Sequence, residues 1–383
     1  MKISHLYALT IAFLLMSCAT QPKAYENALD FALASKNKKI RSVLKHVKDH
    51  EVQILYTSVN KGDHGQLVFS SYEFQVDSNH YFYPASSVKL IAAALSLEKL
   101  EQEGLSHETV YRLADELQQQ TFSRDIQEIF AISSNDTYNR LFDYLGTDYI
   151  RQELSKKGIR PLRISHRLST ADAANPKTRD LKIKTLAGVW REQNGFRNQE
   201  PLPLVLSAIK KGQGFLEDGI LVAKPFNFSL KNHFPIASQQ ALLKRIIFPE
   251  TYQTEKQFKL GQEKRNFLLR AMGATPKELG YNSPEYYDSY GKFFMYGDQK
   301  KPIPSHIKIY NKVGYAYGTL TDNAYIVDEK NEISFLLTAT ILVNKNQIFN
   351  DNNYEYETIG IPFLAQLGRE IYRYEKYQKR KKG

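Results

Sequence analysis

The chain has a single cysteine, Cys18, among 383 residues. One thiol excludes internal disulfides and any zinc or iron–sulfur site built from cysteines. Nor does any apolar run reach the roughly twenty residues that a membrane-spanning helix requires. Motifs of nucleic-acid recognition are missing as well. The net charge of +11 reads as spread along the chain except at the C-terminal tail, so no nucleic-acid partner is expected. Extended disorder is also excluded, since 42% hydrophobic and 12% aromatic residues are ample for a packed core.

What is present begins with a leader. Lys2 supplies a positive start, and residues 6–16 form an apolar run too short to span a bilayer. The run ends Leu15-Met16-Ser17-Cys18, which resembles the lipobox of bacterial lipoproteins, whose cysteine is lipidated after cleavage. The expectation is a signal peptide over residues 1–17, a lipidated Cys18, and a tether over residues 19–24. The protein would then sit in the bacterial cell envelope, lipid-anchored on the periplasmic or cell-surface side. An ordinary secretory signal with an incidental cysteine is the plainer alternative.

From Tyr25 apolar positions recur at helical spacing to Val47, as one helix or as two joined near Lys36. Residues 52–59 and 67–74 read as strands joined by the Lys61-Gly62-Asp63 turn. An aromatic run then ends at Pro84, and Ala85 or Ser86 opens a long apolar helix. Lys89 lies one turn after Ser86 and projects from the same face. An amine beside a hydroxyl at the positive end of a helix suits an activated nucleophile. The pattern alone is weak, because Ser-x-x-Lys also begins at Ser35, Ser42, Ser58, Ser96, Ser207, Ser289 and Ser305. The setting of strand, proline and apolar helix distinguishes Ser86.

Residues 108–145 read as helical with a break near Thr121, and residues 181–245 as mixed strand and turn. Helices are expected over 239–248 and 263–272. The tyrosine-rich stretch 281–297 reads as packing. Three strands follow, at 307–313, 321–327 and 333–343, then an amphipathic helix over 363–374 and a basic tail over 376–383.

Two further pieces follow Ser86-x-x-Lys89: Ser133-Ser134-Asn135 before a helix, and Lys312-Val313-Gly314 on a strand. Together they resemble the penicillin-recognising serine hydrolases of the class A beta-lactamase-like group, in which Ser-x-x-Lys, Ser-x-Asn and Lys-Thr/Ser-Gly line one cleft. Reading Ser134-Asn135-Asp136-Thr137 as the middle motif is the other register. Ser133 and Asn135 keep the usual order and also place Asn139 and Gly146 at the family's spacing. The resemblance covers roughly residues 25–180 and 300–375.

The resemblance implies an α/β (α+β) fold, with an antiparallel five-stranded sheet flanked by N- and C-terminal helices and an inserted, mainly helical lobe. The sheet lobe would comprise residues 25–85 and 300–375. The helical lobe would comprise residues 86–299, with a family-atypical insertion at about 181–299. Ser86 would be the nucleophile, Lys89 its base, Ser133 a proton relay, and Lys312 a positive neighbour. Asn135 would bind a substrate amide, while Gly314 and Tyr315 border the substrate, with an oxyanion hole from the Ser86 and Tyr315 amides. No cofactor and no metal are implied, and a monomer is expected.

Three departures bear on function. The family's deacylating glutamate falls near Leu168, and no glutamate occurs between Glu153 and Glu192; Asp172 is the available substitute. Val313 replaces a hydroxyl residue, and Leu320 stands where many members carry an arginine. The expected protein is a lipid-anchored serine hydrolase that forms an acyl-enzyme on a beta-lactam, peptide or ester carbonyl of a small-molecule or peptidoglycan-derived substrate. The alternative is a slowly deacylating or non-catalytic cell-envelope binding protein.

Overall fold

The computed structural model describes residues 25–382, so Cys18, the leader and the tether lie outside the described residues. Two short helices come first, α1 (Ala28–Leu33) and α2 (Lys38–Lys45). Each starts at an asparagine whose side chain accepts a first-turn amide: Asn27 from Asp30 N at 2.9 Å, Asn37 from Lys39 N at 2.9 Å. The break between them falls where Ser35, Lys36 and Asn37 interrupt the apolar period.

Strands β1 (Gln53–Lys61) and β2 (Leu67–Phe74) form a hairpin, closed by Gly62 N donating to Gln66 O at 2.8 Å. At the other end of the chain lie β3 (Ile307–Ala316), β4 (Thr319–Asp328) and β5 (Ile333–Leu342). The five strands pair antiparallel in the order β3-β4-β5-β1-β2, so chain ends remote in sequence complete one sheet. This is the α/β sheet expected from the sequence.

One face of the sheet is covered by α1, α2 and the closing helix α9 (Ile361–Lys382), which bury Ile40, Val43, Phe335, Leu364 and Leu367. The other face meets the helical lobe. There α3 (Lys89–Gln102), α4 (Phe122–Ala131), α5 (Asn135–Leu145), α6 (Thr147–Lys156), α7 (Ile236–Ile247) and α8 (Gln262–Gly273) share a second core. Helix α3 is buried along most of its length, with Lys89, Ser96 and Glu98 buried among its apolar residues.

Two expectations need correction. Residues 110–113 and 120–121 are strands rather than helix, and they join Leu181–Lys184 and Trp190–Gln193 in a four-stranded antiparallel sheet. Tyr111 and Leu113 point inward while Val110 and Arg112 are half-buried, a period of two that is hard to recognise in four residues. The basic stretch from Lys376 is no separate tail, because α9 continues through it to Lys382. Short ribbons over residues 210–227 pack beside Ile348–Phe349 and build an aromatic cluster from Tyr81, Tyr83, Phe215, Phe228 and Phe349.

Phe335 sits on the central strand with no exposure and packs its ring 6.1 Å from that of Tyr56. Phe335→Ala should therefore cost about 3–5 kcal/mol in urea unfolding without changing the denaturant slope.

Candidate active site

Ser86 lies in a tight 3-10 turn, Ala85–Val88, that leads directly into α3. Ala85 is held in the left-handed region at φ +46°, a strained conformation for a residue with a β-carbon. Ser87 secures the turn by donating from Oγ to Pro84 O at 2.8 Å. Strand β3 runs against this turn. A β-carbon on Gly314 would lie 2.3 Å from Pro84 O and 2.9 Å from Ser86 N, so only glycine allows the approach.

Lys89, at the first turn of α3, is wholly buried. Its Nζ donates to Asn135 Oδ1 at 2.7 Å, to Ser133 Oγ at 3.4 Å, and to the Ser133 carbonyl. Lys312 Nζ reaches the same hydroxyl, at 2.9 Å, and also bonds Val313 O at 2.9 Å. Ser133 is itself left-handed, at φ +55°, and Ser134 caps α5 through Thr137 N. The fold thus brings Ser86, Lys89, Ser133, Asn135, Lys312, Gly314 and Tyr315 to one place. In the alternative register Ser134 would be the site serine; here it is the helix cap and Ser133 faces both lysines. Among the described residues no hydrogen bond joins Lys89 to Ser86.

Burial holds Lys89 well below its ordinary pKa, and the Lys312 ammonium adds to that effect. Lys312 is itself lowered to about 7, again by burial, with the Asp322 carboxylate opposing the shift. Behind Lys312 lies a buried polar layer that the sequence reading missed. Asn311 Nδ2 donates to Asp322 Oδ1 at 2.9 Å, and Lys292 Nζ bonds Ile309 O at 2.8 Å and Asn311 Oδ1 at 3.2 Å. Burial raises Asp322 to about 6 and lowers Lys292 to about 8. Nothing in sequence spacing links Lys292 to this layer.

The loop at residues 163–180 forms the floor. Asn139 clamps the Leu168 backbone from both sides, accepting from Leu168 N at 2.8 Å and donating to Leu168 O at 2.9 Å. Ser169 Oγ accepts from Asn135 Nδ2 at 3.0 Å. Arg167, buried, is ion-paired with buried Asp143, which also accepts from Arg179 Nε at 2.7 Å. His166 stacks on Tyr83, and its ring lies 2.5 Å from Arg167 O and accepts from Asn232 N. Burial lowers its pKa to about 4, so it stays neutral.

Ser86, Asn135 and Tyr315 open onto a cleft of about 660 Å³, with Tyr83, Tyr317 and Lys231 on its walls. No carboxylate lines it among the described residues. Asp172 is instead half-exposed and hydrogen-bonded to Thr170 Oγ1 at 2.8 Å. Val313 and Leu320 are packed into the core, Leu320 against Gly360. Among the described residues no group of histidine, cysteine and carboxylate side chains could hold a metal ion.

No protein-family model and no curated protein matches the chain. Solved structures do match. A class A beta-lactamase from Bacteroides cellulosilyticus is similar over 91% of this chain and 98% of its own, at 11% identity and TM-score 0.52. The class A beta-lactamase from Mycobacterium abscessus is similar over 88% and 98%, at 14% identity and TM-score 0.50. A beta lactamase from Xanthomonas campestris is similar over 90% and 99%, at 15% identity and TM-score 0.50. The chain therefore has the class A beta-lactamase-like fold.

Gly314→Ala should push the strand off the Ser86 turn. The expected result is a folded protein, by circular dichroism, in which any labelling of Ser86 by an acylating probe falls at least about a hundredfold.

Proposed function

We propose that this protein is a serine hydrolase of the beta-lactamase-like kind, anchored to the cell envelope through Cys18 and acylated at Ser86. Its substrate would be a beta-lactam, peptide or ester carbonyl. One observation carries the reading: a buried lysine of lowered pKa one turn after Ser86, sharing the Ser133 hydroxyl with Lys312. Neutral Lys89 takes the Ser86 hydroxyl proton as Oγ attacks the carbonyl carbon. Backbone N–H groups of Ser86 and Tyr315 receive the developing oxyanion. The proton then passes from Lys89 through Ser133 Oγ to the leaving nitrogen or oxygen, while the Lys312 ammonium donates to that hydroxyl.

Release of the acyl group is the weak step. The cleft lining has no carboxylate to activate water, Leu168 is apolar where the family's glutamate would fall, and Asp172 is engaged by Thr170. This supports a long-lived acyl-enzyme over rapid turnover, and so favours a slowly deacylating envelope enzyme over an efficient beta-lactamase.

Intact-protein mass spectrometry with a fluorescent penicillin tests the reading. The chain from residue 19 should gain one covalent adduct that Ser86→Ala lacks, and Lys89→Ala should slow its formation by about 10²–10⁴. Failure to form an adduct with any lactam, thioester or peptide donor would sink it. A second measurement uses pH. Lys312 carries its proton below about 7 and loses it above. The acylation rate should therefore fall on the alkaline side of about pH 7, and Lys312→Arg, charged throughout, should move that fall upward.

A further inference from the structure

The net charge of +11 is concentrated in two segments. Residues 25–50 hold six basic and three acidic residues, and residues 361–382 hold seven and two. These 48 residues therefore carry eight of the eleven net charges, and the fold packs them together. Tyr374 OH donates to Tyr25 O at 3.0 Å, the Arg373 guanidinium lies 4.8 Å over the Phe31 ring, and Asp298 joins Lys39 at 2.7 Å to Arg369 at 2.8 Å. Because α2 turns Ile40 and Val43 inward, Lys38, Arg41 and Lys45 are left outward on the same helical layer as Arg380 and Lys381. None of these five is ion-paired among the described residues.

We infer that this basic face is a docking surface for an anionic lipid membrane. Six residues separate Cys18 from Tyr25, the two being at most about 25 Å apart along the chain, and Tyr25 enters the fold at this face. Favouring a membrane over an anionic wall polymer thus rests on the lipidated Cys18 of the proposed function. The lipid would hold the chain at the bilayer, and a basic layer beside it would set which face of the protein meets an anionic surface. Helix α2 runs antiparallel to α9: Asp298 joins Lys39, at the start of α2, to Arg369, while His46, just after α2, shares a pocket wall with Ile359, just before α9. The cations of α2 and the basic end of α9 therefore line the length of one helical layer, and the protein docks by that layer rather than by one end.

Both cores are built from residues 28–371, so the chain from residue 19 retains every core residue and is the form to test without lipid. Its binding to vesicles of phosphatidylethanolamine with about 30% phosphatidylglycerol should exceed its binding to neutral vesicles, and should weaken in about 0.5 M salt. Replacing Arg41, Lys45, Arg380 and Lys381 by glutamine should weaken binding at least about tenfold. The same replacement at exposed Lys224, Lys277, Lys301 and Lys330 removes equal charge elsewhere and should change binding less than about twofold. Equal effects of the two variants, no preference for anionic vesicles, or sedimentation with an anionic wall polymer in place of vesicles would each overturn the inference. Because this chain carries no lipid, its result is separate from whether Cys18 is acylated, which mass spectrometry of the full chain reports.

Discussion

Two amines share one buried hydroxyl, and the geometry of the site depends on that arrangement. Lys89 and Lys312 both bond Ser133 Oγ, with no carboxylate between them. Two ammonium groups so placed raise each other's cost, and burial penalises both. The asymmetry lies behind them. Asp322 is buried on the Lys312 side and supports a charge there, whereas the acid favouring a charge on Lys89 is exposed Asp136. A charge is thus better supported at Lys312 than at Lys89, the asymmetry that the proposed acylation of Ser86 requires. Ser133 must take a left-handed backbone to face both lysines, and Gly314 must lack a β-carbon for β3 to reach the turn.

Much of this was legible in the chain. The strands at either end of the sequence announced themselves by apolar and β-branched runs, continuous where β1 and β5 are buried on both faces and alternating at the edge strand β2. Ser86, Lys89, Ser133, Asn135 and Lys312 were readable because each sits at a boundary between elements, where periodicity changes. The register of the middle motif was settled in geometry by capping: Ser134 satisfies Thr137 N, which leaves Ser133 to face the lysines. What stayed illegible was set by distant partners. Val110–Leu113 is too short for its period of two to stand out, and its pairing strand lies some seventy residues away at Leu181–Lys184. Lys292, Asp143 and Arg167 are charged residues whose burial depends on contacts no local pattern records.

The changes at 313 and 320 have a structural cause that links the cleft to α9. Leu320 has no exposure and fills the space above Gly360, where the chain turns into α9, and Val313 joins the same core beneath the sheet. An arginine or hydroxyl at these positions would have to leave that core to meet a ligand. Both positions are given over to packing, so neither side chain offers a polar group to the cleft from the β3 side. Two cations line the cleft: Arg167, which is ion-paired with Asp143, and Lys231, which follows the 210–227 ribbons and has no ion pair among the described residues. Lys231 lies near His166, which stacks on Tyr83, so an anionic group on that side of the cleft meets a cation. The same loop that closes this side clamps Leu168 where water would need a base. Under the proposed acylation at Ser86, a cleft wall that carries a cation and no carboxylate would favour binding an anionic group over activating the water that frees an acyl group.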